Sequence, residues 1–478
     1  MNSSNEPTIL WYDFETWGAS PKKDRPCQFA AIRTNLNFEP IGKPINIYCY
    51  PAADYLPNPE ACLITGITPQ LTFKKGTNEH EFMAKILAEM AQPNTCTAGY
   101  NSIRFDDEVT RYSLYRNLFE PFAREWKNGN SRWDIIDMVR TCYALRPEGI
   151  NWPLKEDGSP SFKLEALSKA NNLEHANAHD ALSDVWATIG VAELIKNKQP
   201  KLFEFLFNLR SKHEVKKLID VVNLTPLMHV SSKIPAAQGC CTWVVPLAWH
   251  PSNPNAVIML DLHKDPTPLF NLSVDEIQQK LFTRTEDLEP DEERLPIKLV
   301  HINKCPVLAP AKTLTAENAE RLNINREKCL SHLTLIKNQP ALATKLVEFY
   351  NQLGFEKETN ADYMLYDGFF KPHDVALLDK IQSASPDQYA ALSPEFDDPR
   401  LNTLWFRFKA RNYPHTLDEQ EQKKWHTYCA DKLTNDTHND EMTINSLMQA
   451  LEQLVELHSN DETKLNILKS LYHFVNEI

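Results

Sequence analysis

No stretch of this chain approaches the roughly 18 consecutive apolar residues of a membrane span, and Met1 to Pro7 offer no charged start followed by an apolar run. These absences give the expectation of a soluble cytoplasmic protein. The ten cysteines, at 27, 49, 62, 96, 142, 240, 241, 305, 329 and 429, lack Cys-x-x-Cys spacing and mostly sit in apolar, strand-like runs. They read as reduced core residues rather than a disulfide frame or a zinc site. Internal repeats and low-complexity tracts are missing too. Positive charge is in deficit, with 51 basic against 64 acidic residues and a net charge of −13. Phosphate attraction is a local matter of which face carries Lys and Arg, and bound cations reverse the sign of an acidic site. Any contact with a polyanion must therefore be confined to a basic groove.

What is present is enough for a large globular protein. A length of 478 residues fits about three domains, and 42% hydrophobic residues can fill their cores. Residues 1–198 alternate strand runs (9–12, 29–35, 45–50, 95–100) with helical patterns (79–90, 107–118, 181–195), the signature of an α/β domain with a mixed sheet. Residues 201–354 carry short β runs at 240–247, 256–260 and 297–302, separated by prolines and polar turns, which predicts a β-rich domain. A helical pattern at 201–210 introduces it, and Lys212, Lys216 and Lys217 follow, equally readable as a face for a polyanion or a solvated face. Residues 358–478 read as helices (375–383, 419–432, 442–457, 464–476) with a structural role.

The most informative feature is Asp13-Phe14-Glu15 behind the apolar run Ile9 to Tyr12. In an extended chain residues i and i+2 face the same way, so the two carboxylates can converge on one hard cation while Phe14 packs on the other side. Asp287 and Glu289 share the spacing, but in a wholly polar run, and are read as chance. Further acids stand in suggestive places. Asp106 begins a helical pattern after the turn Asn101 to Phe105, where it, or Asp107, could also be a simple helix cap. Asp184 lies in a helix opening near His179. Five residues of α-helix subtend about 500°, so His179 meets Asp184 only from the loop or first turn ahead of the helix. His175 and Asp180 repeat the spacing; the pair His179 and Asp184 is preferred because Ala181 and Thr188 then fall at close-packed positions.

In the order Asp13, Glu15, Asp106, His179, Asp184, these residues resemble the DEDD superfamily of 3′-to-5′ exonucleases in its histidine subclass. Leu63 to Thr68 and Phe162 to Leu167 are similar to its turn and pre-histidine segments. Asn101 to Val109, Asn130 to Asp134, His301 to Pro306, Tyr366 to Phe370 and Arg411 to Pro414 carry the likeness nearly end to end, to the bacterial exonuclease I family. That resemblance implies a ribonuclease H-like exonuclease domain at 1–198, a Src-homology-3-like β-barrel domain at 201–354 and a helical domain at 358–478. It implies a monomeric enzyme of DNA repair and recombination that removes 5′ mononucleotides processively from single-stranded DNA 3′ ends.

The same resemblance implies two Mg²⁺ ions, with Mn²⁺ able to substitute. Asp13 would bridge both, Glu15 and Asp184 would complete one site, Asp106 would hold the second, and His179 would be the general base. Phe14, Thr16, Phe105, Trp133 and Lys163 are the candidate DNA contacts, although buried aromatics are ordinarily packing. For the acidic C-terminal tail of single-stranded-DNA-binding protein, the implied pocket holds Arg146, Phe205, Arg326 and Lys337, with Thr315 standing where a further arginine is expected. An RNA-trimming or proofreading exonuclease is the enzymatic alternative. A noncatalytic DNA-binding scaffold is the other class, disfavoured because all five site positions are filled.

Overall fold

The computed structural model describes residues 6–173, 181–284, 287–288, 293–354, 357–435 and 441–477. By its internal contacts the chain divides into two compact units, one of residues 1–131, 175–186 and 357–478, the other of residues 132–174 and 187–356.

The first unit is built on β1 (Thr8–Thr16), β2 (Pro26–Thr34), β3 (Ile45–Tyr48) and β4 (Thr95–Gly99), in the order β3-β2-β1-β4. The β1–β2 and β2–β3 pairs are antiparallel, and β4 runs parallel to β1. Strand alternation sorts the side chains of β1. Leu10, Tyr12 and Phe14 enter a core with Phe29, Phe82, Met83 and Val109, while Asp13 and Glu15 share the other face. Both acids lie inside the strand, opposite Ala30 and Gln28, and a bulge follows Glu15. The sequence reading had ended this strand at Tyr12, because charged residues weigh against strand when burial on one face is unknown.

Helices α1 (Pro59–Thr65), α2 (Pro69–Lys75), α3 (Glu79–Met90) and α4 (Asp106–Arg116) complete this part. Gly66, at φ +71°, ends α1 in the left-handed conformation, and Thr68 then caps α2. Gly99 ends β4 beside β1: a Cβ there would lie 2.9 Å from the Tyr12 carbonyl oxygen. The missing side chain lets the turn into α4 pass close to β1.

The C-terminal helices pack directly on this framework. Leu433, Leu447, Leu451, Leu468 and Leu471 bury against Trp17, Cys27, Tyr55 and Leu56, and Leu401, Leu404 and Phe408 lie in a second core with Tyr112 and Tyr115. Between the two runs a buried ion network. Arg411 pairs with Asp54 at 2.7 Å and Asp362 at 2.6 Å, Lys432 with Asp54 at 3.2 Å, and Arg407 with Asp362 at 3.0 Å. Burial alone would raise the Asp54 and Asp362 pKa values. The surrounding cations outweigh it and hold both below the usual carboxylate range.

The second unit contains an antiparallel sheet. After β5 (Ser131–Asp134), strands β6 (Leu227–Val230), β7 (Cys241–Trp249), β8 (Ala256–Asp261), β9 (Ile297–His301) and β10 (Val307–Pro310) run in the order β10-β6-β7-β8-β9. The helix Lys212–Leu218 presents its lysines outward, with Lys217 paired to Glu214 and Lys216 over the Trp249 ring. All ten cysteines are free thiols and eight are buried. Among the described residues, no helix is long and apolar enough to cross a membrane.

Candidate active site

β1 delivers two carboxylates from one face, and the helix Ala181–Lys198 delivers a third. Ligand oxygens of Asp13, Glu15 and Asp184 lie within 4.8 Å of one another, each residue half-buried. Within that helix Ala181 and Thr188 are buried, and Asp184 faces Asp13 and Glu15. A fourth carboxylate comes from the first turn of α4. Asp106 is buried, and its Oδ1 accepts the backbone N–H of Phe14 at 3.0 Å. The helix-cap reading of Asp106 gives way, since Phe105 occupies the cap position.

The electrostatics of the cluster suit a cation. Burial pushes the Asp13 pKa well up, and Asp106, Glu15 and Asp184 push it in the same direction. Four acids brought together from β1, α4 and the helix Ala181–Lys198 repel one another unless a cation or a proton neutralises them. Hard oxygen donors in this number suit Mg²⁺ or Mn²⁺, and the donor set therefore fits the implied ions.

Behind the acids stands a buried polar support. The Tyr12 hydroxyl donates to Asp107 Oδ1 at 2.9 Å, and Arg124 Nη2 donates to the same oxygen at 2.7 Å. Burial and the adjacent Asp107 raise the Tyr12 pKa well above its ordinary value, so the phenol stays a proton donor. Sequence reasoning passed over Asp107 as a cap; the signal it carried was the acid doublet Asp106-Asp107 facing a strand tyrosine.

The other expected residues fare differently. His179, and the alternative pair His175 and Asp180, lie outside the described residues. Phe14 is a core residue, 4.9 Å from the Phe29 ring centre, so its part in the site is its backbone amide. Thr16 is buried, its hydroxyl donating to the Gly18 carbonyl at 2.6 Å. Phe105 is half-buried against the sheet core. Trp133 is buried between Phe203 and Phe207 rather than lining a path, because an indole amid apolar rings is stabilised by packing. Lys163 is exposed at the start of the helix Leu164–Ala170.

Rings exposed in the first unit are ones the sequence did not single out as contacts. Trp126, Tyr366 and Phe369 are 68%, 55% and 90% exposed. Phe122 lies 6.0 Å from the Tyr366 ring and 6.2 Å from that of Phe369, with the Arg111 guanidinium above it. Of the partner-site candidates, all in the second unit, Arg146 and Lys337 are exposed, Phe205 is half-buried, and Arg326 lies 5.5 Å over the Trp243 ring. Thr315 caps the helix Ala316–Arg321 by accepting the Asn318 amide, which gives the departure at that position a local structural use.

Three family models match consecutive parts of the chain: "Exonuclease" over residues 10–192, "Exonuclease I SH3-like domain" over 210–352 and "Exonuclease I C-terminal domain" over 359–478. Exodeoxyribonuclease I of Escherichia coli is 47% identical over 100% of this chain and 99% of its own length. That of Haemophilus influenzae is 48% identical over 97% of each. A crystal structure of the E. coli enzyme with a dA16 oligonucleotide superposes with a TM-score of 0.95, at 47% identity, covering 99% of this chain and 100% of that one. A zinc-bound E. coli complex with single-stranded DNA, and an SSB/exonuclease I structure with an inhibitor, give 0.94 and 0.92, at 47% and 45% identity, each covering 99% of this chain and respectively 99% and 100% of the other.

Proposed function

The chain belongs to the exonuclease I family and is a 3′-to-5′ exonuclease of single-stranded DNA, and we propose that it works through two divalent cations held by Asp13, Glu15, Asp106 and Asp184. The convergence of these acids on Asp13 is the observation that carries the reading. Bound there, Mg²⁺ would supply an activated water and neutralise charge at the leaving 3′ oxygen. Asp13, Glu15 and Asp184 would form one ion's site, and Asp13 with Asp106 the other. Phe14 contributes its amide, which holds Asp106 oriented, and His179 would take the proton from the attacking water, its near-neutral pKa suiting that transfer. A zinc-bound form of the E. coli enzyme supports divalent-cation chemistry, with Mg²⁺ the ion proposed here.

The exposed rings of Trp126, Tyr366 and Phe369 suit base stacking. Stacking tolerates every base, as a nonspecific exonuclease requires. An enclosed path admitting only single strands, processive removal of 5′ mononucleotides, a monomeric state, a cytoplasmic location and three domains at 1–198, 201–354 and 358–478 complete the proposal. Arg146, Phe205, Arg326 and Lys337 would receive the acidic tail of single-stranded-DNA-binding protein, a reading supported by the SSB/exonuclease I structure.

Degradation of matched 5′-labelled single-stranded DNA, single-stranded RNA and blunt duplex tests it. Rapid loss of the DNA strand in Mg²⁺, with little action on RNA or duplex, is expected. Equal action on RNA, or efficient digestion of blunt duplex, overturns it.

A further inference from the structure

A cavity of about 480 Å³ opens in the second unit, beside the β8–β9 edge of the antiparallel sheet. Among the described residues its walls carry Lys233, Lys264, Lys280, Arg294 and Lys298, with the carboxylate of Asp261. Asp261 is already engaged, accepting from the Thr242 hydroxyl at 2.5 Å and the His263 amide at 3.1 Å. Lys264 Nζ donates only weakly, to the Arg294 carbonyl at 3.5 Å, and Arg294 Nη2 donates to the Thr283 carbonyl at 2.8 Å. Among the described residues, Lys233, Lys264 and Lys298 form no ion pair. Lys298, on β9 opposite Met259, is half-buried; burial lowers its pKa, Asp261 raises it, and Lys264 and Lys233 lower it again. These three ammonium groups therefore feel one another across the cavity.

Lys233, Lys264 and Lys298, with Asp261 as the one carboxylate among the described lining residues, gather positive charge around a concave, partly apolar pocket in a chain that is acidic as a whole. Lysine acts toward phosphate as a point charge, and charge-assisted hydrogen bonds to phosphate oxygens are among the stronger polar contacts. The volume lies within the range of about 300–1,000 Å³ typical of small-ligand sites, and Leu281, Pro296 and Ile297 supply an apolar wall for a flat base. We propose that this pocket binds the phosphate of a nucleotide-sized ligand, separately from the carboxylate cluster. The phosphate could arrive on a free 5′ mononucleotide, which the reaction releases, or within a strand; the size favours the free nucleotide.

The test is equilibrium dialysis of labelled deoxyadenosine 5′-monophosphate against the full chain in EDTA at low salt, which removes cations from the carboxylate cluster. Saturable binding is expected, absent with unphosphorylated deoxyadenosine, weakened by added salt, and at least ~10-fold weaker in Lys233→Ala with Lys264→Ala. An oligothymidylate arm distinguishes the sources: unchanged strand binding in the double variant supports the free nucleotide. The proposal is overturned if the mononucleotide does not bind saturably, if the double variant binds it equally, or if only strand binding falls. It is also overturned if binding appears only after the acids between Glu286 and Glu293 are replaced by amides, since the chain itself would then be neutralising these lysines.

Discussion

The backbone amide of Phe14 donates to Asp106 Oδ1 at 3.0 Å, tying the middle of the Asp13-Phe14-Glu15 triplet to the acid that α4 supplies. The strand thus contributes two carboxylates with its side chains and orients a third with its main chain. That bond cannot be removed by a side-chain substitution at Phe14, so tests of the support fall on the layer behind it.

Arg124 and Tyr12 both donate to Asp107, next to Asp106, in a buried setting. Arg124→Met leaves the Asp107 charge without its cation and is expected to cost about 3–5 kcal/mol. Tyr12→Phe removes one hydrogen bond to a charged group and should cost about 1.5–3 kcal/mol. Urea unfolding measures both; a smaller loss from Arg124→Met than from Tyr12→Phe would show that the ion pair contributes little.

His229 gives the second unit a pH dependence. Burial lowers its pKa from the ordinary value near 6.5 to about 4, and its Nδ1 lies 2.9 Å from the Val307 carbonyl, so that nitrogen carries the hydrogen of a neutral ring. The unfolded chain then takes up the proton first, and stability falls as pH drops from about 6.5 towards 4. The loss should approach about 3 kcal/mol at 1.36 kcal/mol per unit. His229→Gln should flatten that part of the profile relative to the unsubstituted chain, as read by urea unfolding across it. A parallel profile in the variant contradicts the assignment.

For the proposed general base, His179→Ala should slow turnover by about 10²–10⁴-fold with cation binding intact, and recover partly at higher pH where hydroxide is more abundant. His175→Ala should change little. Steady-state rates for the two variants decide the register, and a larger defect at His175 reverses it.

A labelled acidic tail peptide of single-stranded-DNA-binding protein should bind the full chain with an affinity that weakens as salt rises. Fluorescence anisotropy should show at least ~10-fold weaker binding for Arg146→Ala with Arg326→Ala. Unchanged binding removes this pocket.

The acidic cluster was legible because strand alternation is a local rule: Ile9 to Tyr12 announced the strand, and period two placed Asp13 and Glu15 together. Asp184 was legible through its helix, whose small residues Ala181 and Thr188 are buried. The buried helix Pro399–Asn412 was not recognised, because Arg400, Lys409 and Arg411 make it read as polar. Their burial depends on Asp398, Glu421, Asp54 and Asp362, and three of the four partners are well removed in sequence or on other elements. The aromatics failed for a related reason. Trp133 and Phe203 are alike in composition to Trp126 and Phe369, and only tertiary packing decides which rings are covered.

The central claim is that Asp13 joins the acids into one cation site, and Asp13→Asn tests it most directly. Purified variant and unsubstituted chain are compared on a 5′-labelled single strand in Mg²⁺, with strand binding measured separately in Ca²⁺. Cleavage should fall by at least ~10²-fold while binding in Ca²⁺ is retained. Near-normal cleavage by the folded variant would contradict the account.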